Sequence, residues 1–449
     1  MKIKAENTIT SVANNLFSSV FITVVALITG VIINRSLGPT LKGQYAALYL
    51  VSTFYGPLLS FGYQGGVLYH GIRKEINFKS FFWAGMLLTL VIGCIIPVLF
   101  FPLIKIGIFG KIPASLSSSN IMIGVSIIPI ILANGYMEKV IRSYNLFKAS
   151  NFRIMAGAFI TLLYYLLFFF TTGVTLVHVF WGAIVGQGVQ FMISVFFCVF
   201  TLGFKPKLQF SQLFFPYKYG IKSWLNNLLL NYNDKLDQII LNYLLTPGGL
   251  GLYTVGVGLS NLIGQIPSSY LNVFYNQVAG TDQRGAVALY IKAQRINIIV
   301  SLIVFFGMLI VGYPLIVLMY GSQFKESFWV LIIYAPGVVF QAAARLSIKF
   351  YGGIGKPLKN SLIYLFGIIV SLPFYFLLIP LFGINGAAIG SSIAYASAFL
   401  FSFYQIKREF NVSLIEIFDF KKADLLLINE KIKSLPILQK FKNRVVGVK

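Results

Sequence analysis

Charge is what this sequence has least of. Only 11% of its 449 residues are Asp, Glu, Lys or Arg, whereas soluble domains carry about 25%. That deficit excludes a chain covered on all sides by water. Acids are scarcer still, 12 against 36 bases, for a formal net charge of +24. Cysteine and histidine number two each. Cys94 and Cys198 lie inside apolar runs, where each reads as a small hydrophobe, and His70 and His178 are far apart. No disulfide framework and no metal cluster follows, and there is no histidine–cysteine pair for nucleophilic chemistry. A Gly-rich phosphate loop for ATP and a nucleophile elbow are also missing. The N-terminal MKIKAENTITSVANN has no cleavage-site pattern after a short apolar core, so the first apolar run reads as a retained span.

Apolar residues fill the space that charge leaves. They make up 57% of the chain, mean hydropathy is +0.81, and long apolar runs recur to about residue 406. This predicts an all-α polytopic membrane protein of about twelve transmembrane helices. The spans are 10–34, 43–69, 80–104, 119–137, 154–173, 175–203, 223–245, 252–277, 296–320, 327–350, 360–381 and 383–406. Most are long enough to cross about 30 Å of hydrocarbon as helix. Pro57, Pro129, Pro267 and Pro314 fall within spans, which a bilayer tolerates as kinks.

The loops are charged asymmetrically. Of the 36 Lys and Arg residues, 29 lie on the side of the N-terminus and only five on the other: Arg35, Lys42, Lys105, Lys111 and Lys325. This distribution predicts cytoplasmic termini, an even number of spans and a multi-pass protein of the cell membrane, and it explains the net charge without nucleic acid. The stretch 407–449 reads as a basic cytoplasmic tail. Its mixture of apolar and basic residues suits either an amphipathic helix on an anionic leaflet or a loosely ordered tail.

The chain repeats itself. IINRSLGPTLKGQY follows the first span and ILNYLLTPGGLGLY the seventh. Asn34, Pro39, Gly43 and Tyr45 match Asn242, Pro247, Gly251 and Tyr253 at a constant offset of 208. Proline and glycine suit a tight turn between spans. Each copy opens the second span of a six-span block. The expectation is two six-helix lobes, 1–206 and 207–406, entering from the same side and related by a pseudo-two-fold axis along the membrane normal, with substrate in a cleft between them.

The seventh span carries the polar residues that a membrane penalises. In NLLLNYNDKLDQIILNYLL, residues 227–245, a charge at mid-bilayer costs about 2.5–3.5 kcal/mol. At 100° per residue Asn226, Asn227, Asn231, Asn233, Asp234, Lys235, Asp237, Gln238 and Asn242 fall within an arc of about 200°. That face must look onto protein or a water-filled cavity. The first span repeats it weakly with Ser11, Asn14, Asn15, Ser18, Ser19 and Thr29. By the offset of 208, Asp234 corresponds to Ala26 and Asp237 to Thr29, so the acids belong to the second half alone. Asp234 and Asp237 are candidate ion-coupling groups for H+ or Na+; the alternative is that Lys235 neutralises one of them, or that they bridge helices. Arg345, the other charge within a span, either snorkels or offers its fork to phosphate. Glu138, Lys139 and Arg142 end the fourth span and read as a helix cap.

An enzyme of glycan assembly usually carries a sizeable external domain with paired carboxylates or a metal. Here Glu326 is the only external acid and the external connections are short. A transporter remains, driven by an ion gradient or by substrate concentration.

Several segments resemble one family. INRSLGPTLKGQYAALYLV, DQIILNYLLTPGGLGLYTVG, LMYGSQFKES, PLFGINGAAIGSSIAYA and KVIRSYNLFKASNFRIMAGAFI are similar to turn and link segments of the O-antigen and capsule repeat-unit flippases in the multidrug/oligosaccharidyl-lipid/polysaccharide exporter superfamily. The resemblance covers all twelve spans. It implies a MATE-like bundle of two lobes that flips an undecaprenyl-pyrophosphate-linked oligosaccharide by alternating access. It also implies a polysaccharide polymerase and glycosyltransferases as partners, and a cationic cleft. The central charges here are more mixed, two acids against Lys235 and Arg345. On this reading Asn227, Asn231 and Gln238 contact sugar hydroxyls, Lys235 also binds substrate, Arg345 attracts pyrophosphate, and Asp234 and Asp237 respond to the ion; no cofactor is expected. Two alternatives are an ion-coupled exporter of small cations and an integral membrane enzyme.

Overall fold

The computed structural model describes residues 8–105, 116–205, 208–210 and 212–419. Every regular element among them is helical. The helices are α1 (Thr8–Leu59), α2 (Tyr63–Ile72), α3 (Phe78–Lys105), α4 (Ser118–Val125), α5 (Ile128–Ser143), α6 (Phe147–Phe170), α7 (Leu176–Phe196), α8 (Tyr217–Leu244), α9 (Pro247–Ala279), α10 (Gln283–Tyr320), α11 (Ser327–Gly353), α12 (Leu358–Phe410) and α13 (Leu414–Phe418).

Two of these are double. α1 breaks at Gly38, with φ 68° and ψ 176°. α12 breaks at Gly383, with φ 58° and ψ −131°. A side chain is strained in both conformations, which is why glycine ends one span and begins the next there. Among the described residues eight helical stretches are long and apolar enough to cross a membrane, and α1 and α12 are two of them. α8 and α9 fall outside that set because amides, charges, glycines and serines dilute them. With the two breaks and these two helices, the chain is a multi-pass membrane protein of about twelve spans, as its apolar runs predict. The basic tail lies outside the described residues beyond residue 419.

The chain divides into two compact units, Met1–Gly256 with Tyr313–Val330 and Tyr375–Ala387, and Val257–Gly312 with Leu331–Phe374 and Ala388–Lys449. The first unit has two apolar cores. One gathers Val25, Ile32, Leu48, Val125, Leu132, Tyr165 and Phe180. The other gathers Tyr63, Val67, Phe81, Tyr136, Met137, Val140 and Cys198. Cys198 is thus a packed apolar group, whereas Cys94 is exposed on its helix. In the second unit α11 is central: Gln294 Nε2 donates to the Ala343 carbonyl at 3.2 Å, Tyr290 and Ser347 share a hydrogen bond at 3.0 Å, and Tyr334 and Tyr395 share one at 2.9 Å. Large apolar side chains such as Phe170, Phe200, Ile310 and Leu318 are left outside. This is the inversion that acyl chains permit.

Within the first unit the two repeat copies touch. A Cβ built on Gly43 would lie 1.6 Å from the Pro247 carbonyl oxygen, and one built on Gly251 would lie 2.0 Å from that of Pro39. Each copy's proline sits in the first turn of its helix, where a missing N–H costs nothing. The glycine four residues on lets the other copy's backbone settle against it, the small-xxx-small packing of membrane helices. The same device recurs between α2 and α8: a Cβ on Gly62 would lie 2.1 Å from the Gly220 oxygen, one on Gly220 2.4 Å from the Gly62 oxygen, and one on Gly66 1.8 Å from the Pro216 oxygen. Tyr69 and Tyr219 stack beside it at 3.6 Å. Trp224 Nε1 donates to the Leu58 carbonyl at 2.9 Å. Arg35 caps α10: its Nε donates to the Met319 carbonyl at 2.9 Å and its Nη2 to that of Leu318.

Candidate functional site

The polar arc of α8 divides in two. Asn233, Asp237, Gln238 and Asn242 are buried, Asn231, Asp234 and Lys235 are half-buried, and Asn227 is exposed. The side chain of Asn226 lies outside the described residues. Asp237, at 1% exposure, accepts from the Tyr253 hydroxyl at 2.6 Å and from the Gln238 backbone N–H at 2.7 Å. Tyr253 is the tyrosine of the second repeat copy. The buried carboxylate therefore ties α8 to α9 across the turn that carries the repeat. Asn231 Nδ2 donates back to the Asn227 carbonyl at 2.8 Å. The side chains that present polar groups away from the packed flank are Asn227, Asn231, Asp234 and Lys235. Arg345 belongs to α11 in the second unit and is half-buried there.

Two cavities of about 340 Å³ each hollow the first unit. They share Gln187 and Gln190 of α7. The first is walled by α1, α6 and α7, with Ile127 just before α5, and includes Thr29, Lys42, Tyr45, Tyr49, Thr161 and Tyr165. Tyr45 and Tyr49 stack at 5.5 Å, and the Tyr165 hydroxyl donates to the Val179 carbonyl at 2.8 Å. The second is walled by α2, α5, α6 and α7. It is lined by Gln64, Asn134, Glu138, Arg153, Gln187 and Gln190, with Ile131, Leu132, Gly135 and Ile154 as its apolar part.

Packing sets the amides of the second cavity. A Cβ on Gly135 would come within 2.4 Å of the Gln64 amide, so the glycine makes room for it. Gln64 Nε2 donates to the Leu132 carbonyl at 3.2 Å. Asn134 Nδ2 donates to the Gln187 carbonyl at 2.9 Å and to its side-chain oxygen at 2.8 Å. Glu138 is more than a helix cap. It receives Arg142 at 3.0 Å, Lys139 at 3.8 Å and Arg153 at 3.1 Å. Arg153 is 1% exposed, so this cation at the start of the fifth span is a buried strut rather than a loop charge. Its Nη1 reaches Ser194 Oγ at 3.5 Å.

Of the residues the sequence singles out, Asn227, Asn231, Asp234, Lys235, Asp237 and Gln238 share α8, and Arg345 stands apart from them in sequence and unit. Gln64, Asn134, Gln187 and Gln190 escape a hydropathy reading because each apolar span carries only one or two such amides, and Arg153 reads as a loop cation. Their spacing carried a signal: Asn134 and Glu138 are four apart, and Gln187 and Gln190 three, so each pair shares a helix face.

Known proteins agree with this architecture. A lipid II flippase MurJ in an inward closed conformation is similar at TM-score 0.73 and 14% identity, over 98% of this chain and 100% of that one. An inward-facing multidrug resistance MATE transporter of the MOP superfamily is similar at TM-score 0.72 and 16% identity, over 87% of this chain and 96% of that one. In sequence, the probable low-salt glycan biosynthesis flippase Agl15 of Haloferax volcanii is 21% identical over 218 residues. That match spans 46% of this chain and 46% of the archaeal protein, under half the length of each. The family described as "Polysaccharide biosynthesis protein" matches residues 32–328, well over half of the chain, from the first repeat copy through the second and on to the start of α11. A helical membrane bundle with polar hollows and this match is a member of that polysaccharide biosynthesis protein family.

Proposed function

We propose that the protein is a flippase that moves undecaprenyl-pyrophosphate-linked oligosaccharide repeat units across the cytoplasmic membrane by alternating access, not an enzyme. The observation that carries this reading is the amide-lined hollow of the first unit. Groups that hydrogen-bond hydroxyls sit inside a bundle whose outer surface is apolar, and protein partners satisfy only part of their hydrogen-bonding capacity. The likeness to a lipid II flippase in fold and to a glycan flippase in sequence supports the same cargo class. Asn227 and Asn231, which leave the packed flank of α8, are the proposed sugar contacts there; Gln238 lines their buried edge. Arg345, which carries its cation on a half-buried stem, is the proposed pyrophosphate contact, and Lys235 is a proposed substrate contact on α8. Asp234 is the proposed ion-coupling group, and Asp237 supports it by fixing α8 through Tyr253. The internal repeat favours lobes of 1–206 and 207–406, and the loop charges favour cytoplasmic termini.

Reconstitution in liposomes with a labelled lipid-linked oligosaccharide, read by accessibility of the glycan to an outside reagent, tests the reading. Transfer should fall in Asp234→Asn and in Arg345→Ala. A Thr40→Cys, Gly248→Cys pair should stop it under oxidation and release it under reductant, because a Cβ on Gly248 lies 3.6 Å from Thr40 Oγ1. No glycan transfer by the wild type, together with uptake of a cationic dye, would replace this reading by that of a small-cation exporter.

A further inference from the structure

We infer that the second cavity, between α2, α5, α6 and α7, is a sugar-binding chamber that takes one pyranose residue as a neutral, polyhydroxyl ligand. The inference rests on the flippase reading for its cargo and goes beyond it by assigning a subsite outside α8. Four amides, Gln64, Asn134, Gln187 and Gln190, line one hollow of about 340 Å³. That volume lies within the range of small-molecule sites, roughly 300–1,000 Å³. An amide offers donors and an acceptor together, and so does each hydroxyl of a sugar.

The chamber's two charges cancel, because Arg153 and Glu138 pair at 3.1 Å. A cation approaching Glu138 meets Arg142, Lys139 and Arg153, which already surround it. The cluster keeps an excess of positive charge, which repels a small cation, and the four amides that make up the rest of the polar wall suit a hydroxylated ligand.

Two buried atoms in the wall lack a hydrogen-bond partner. They are Asn134 Oδ1, on a residue 5% exposed, and Arg153 Nε, on a residue 1% exposed. One accepts and the other donates, and a hydroxyl can satisfy either. A buried polar atom left unpaired is costly, so a ligand hydroxyl that reaches either one is favoured there. Ile131, Leu132 and Ile154 provide an apolar surface for the C–H face of the ring.

The test uses the full chain in nanodiscs and saturation-transfer NMR with free N-acetylglucosamine, glucose and galactose. At least one hexose should receive magnetisation from the protein. Asn134→Leu and Gln190→Leu should each weaken it about tenfold, or about 1.4 kcal/mol, with elution and thermal midpoint read alongside. Gln190 is half-buried and serves if the Asn134 variant does not fold. No hexose signal, or signals equal in the wild type and both folded variants, overturns the assignment. So does a wild-type site that takes inorganic pyrophosphate or 23Na+ and loses them in the same variants. Hexose binding without glycan transfer in liposomes would overturn the flippase reading and keep the chamber; transfer without hexose binding would do the reverse.

Discussion

Gly43→Ala tests the reciprocal packing of the repeats. The new methyl carbon would lie 1.6 Å from the Pro247 carbonyl oxygen and 3.1 Å from the Gly251 nitrogen. Carbon and carbonyl oxygen ordinarily approach no closer than about 3.3 Å, so the two backbones must part locally by roughly 1.7 Å. The obstacle is main chain and cannot rotate aside as a side chain would. Overpacking of this kind costs about 1–3 kcal/mol. A glycine-to-alanine change in a helix also gains up to about 1 kcal/mol of propensity, which would blur the result. Gly188→Ala removes the ambiguity: Gly188 lies within α7, and its Cβ would meet nothing within 4 Å. The gap in stability between the two variants isolates the packing cost, read as thermal midpoints of detergent-purified protein. Because Gly251 faces Pro39 in the same way, parting the backbones once relieves both clashes. Gly43→Ala with Gly251→Ala should therefore cost less than the two singles added, with a coupling of about 0.5–3 kcal/mol. Equal midpoints for Gly43→Ala and Gly188→Ala, or additivity of the double variant, would refute the reciprocal contact.

Other substitutions probe other parts of the fold. Tyr253→Phe removes the hydroxyl that donates to buried Asp237 and should lower stability by about 1–3 kcal/mol, whereas Tyr313→Phe, on an exposed tyrosine, should leave the midpoint unchanged. Glu138→Gln leaves Arg153 buried without its carboxylate, a loss of about 3–5 kcal/mol that denaturation in detergent would register. Outside the spans, the hydrogen bond from His70, at 2.5 Å, holds the Glu75 carboxyl below its usual 4.5. A depressed carboxyl contributes stability that is present above pH 4.5 and is lost as pH falls below it through the lowered value. Midpoints of the wild type should therefore drop more steeply over that acid range than those of Glu75→Gln; parallel curves would refute the bond. Gly383→Ala forces a side chain into φ 58°, ψ −131° and should destabilise by about 1–3 kcal/mol, against no such loss for Gly188→Ala in the same assay.

Much of this molecule was legible as a string. Apolar runs separated by charge gave the membrane class and about twelve spans, because lipid forces each crossing segment to satisfy its own backbone and to carry few charges. Turn chemistry marked the first break: Gly38 and Pro39 lie between the apolar runs 10–34 and 43–69, and their residue types call for a reversal there. The offset of 208 found the repeat, since symmetry is written residue by residue. The polar face of α8 was also visible, because helical periodicity is local.

What sequence could not decide is which of those polar residues serve packing and which serve a ligand. Asp234 and Asp237 look alike in a wheel, but the tertiary fold brings Tyr253 to one of them. Arg153 reads as a loop cation until Glu138, fifteen residues earlier, is seen to meet it in the interior. The amides of the chamber come from three helices, and each helix offers only one or two of them in an oily span. The sequence by itself determined the medium, the number of crossings and the places where the chain turns, because those follow from transfer free energy and backbone geometry over a few residues. Only the tertiary structure decided which polar groups face one another, because a hydrogen bond or a cavity wall depends on distances between helices that are far apart along the chain.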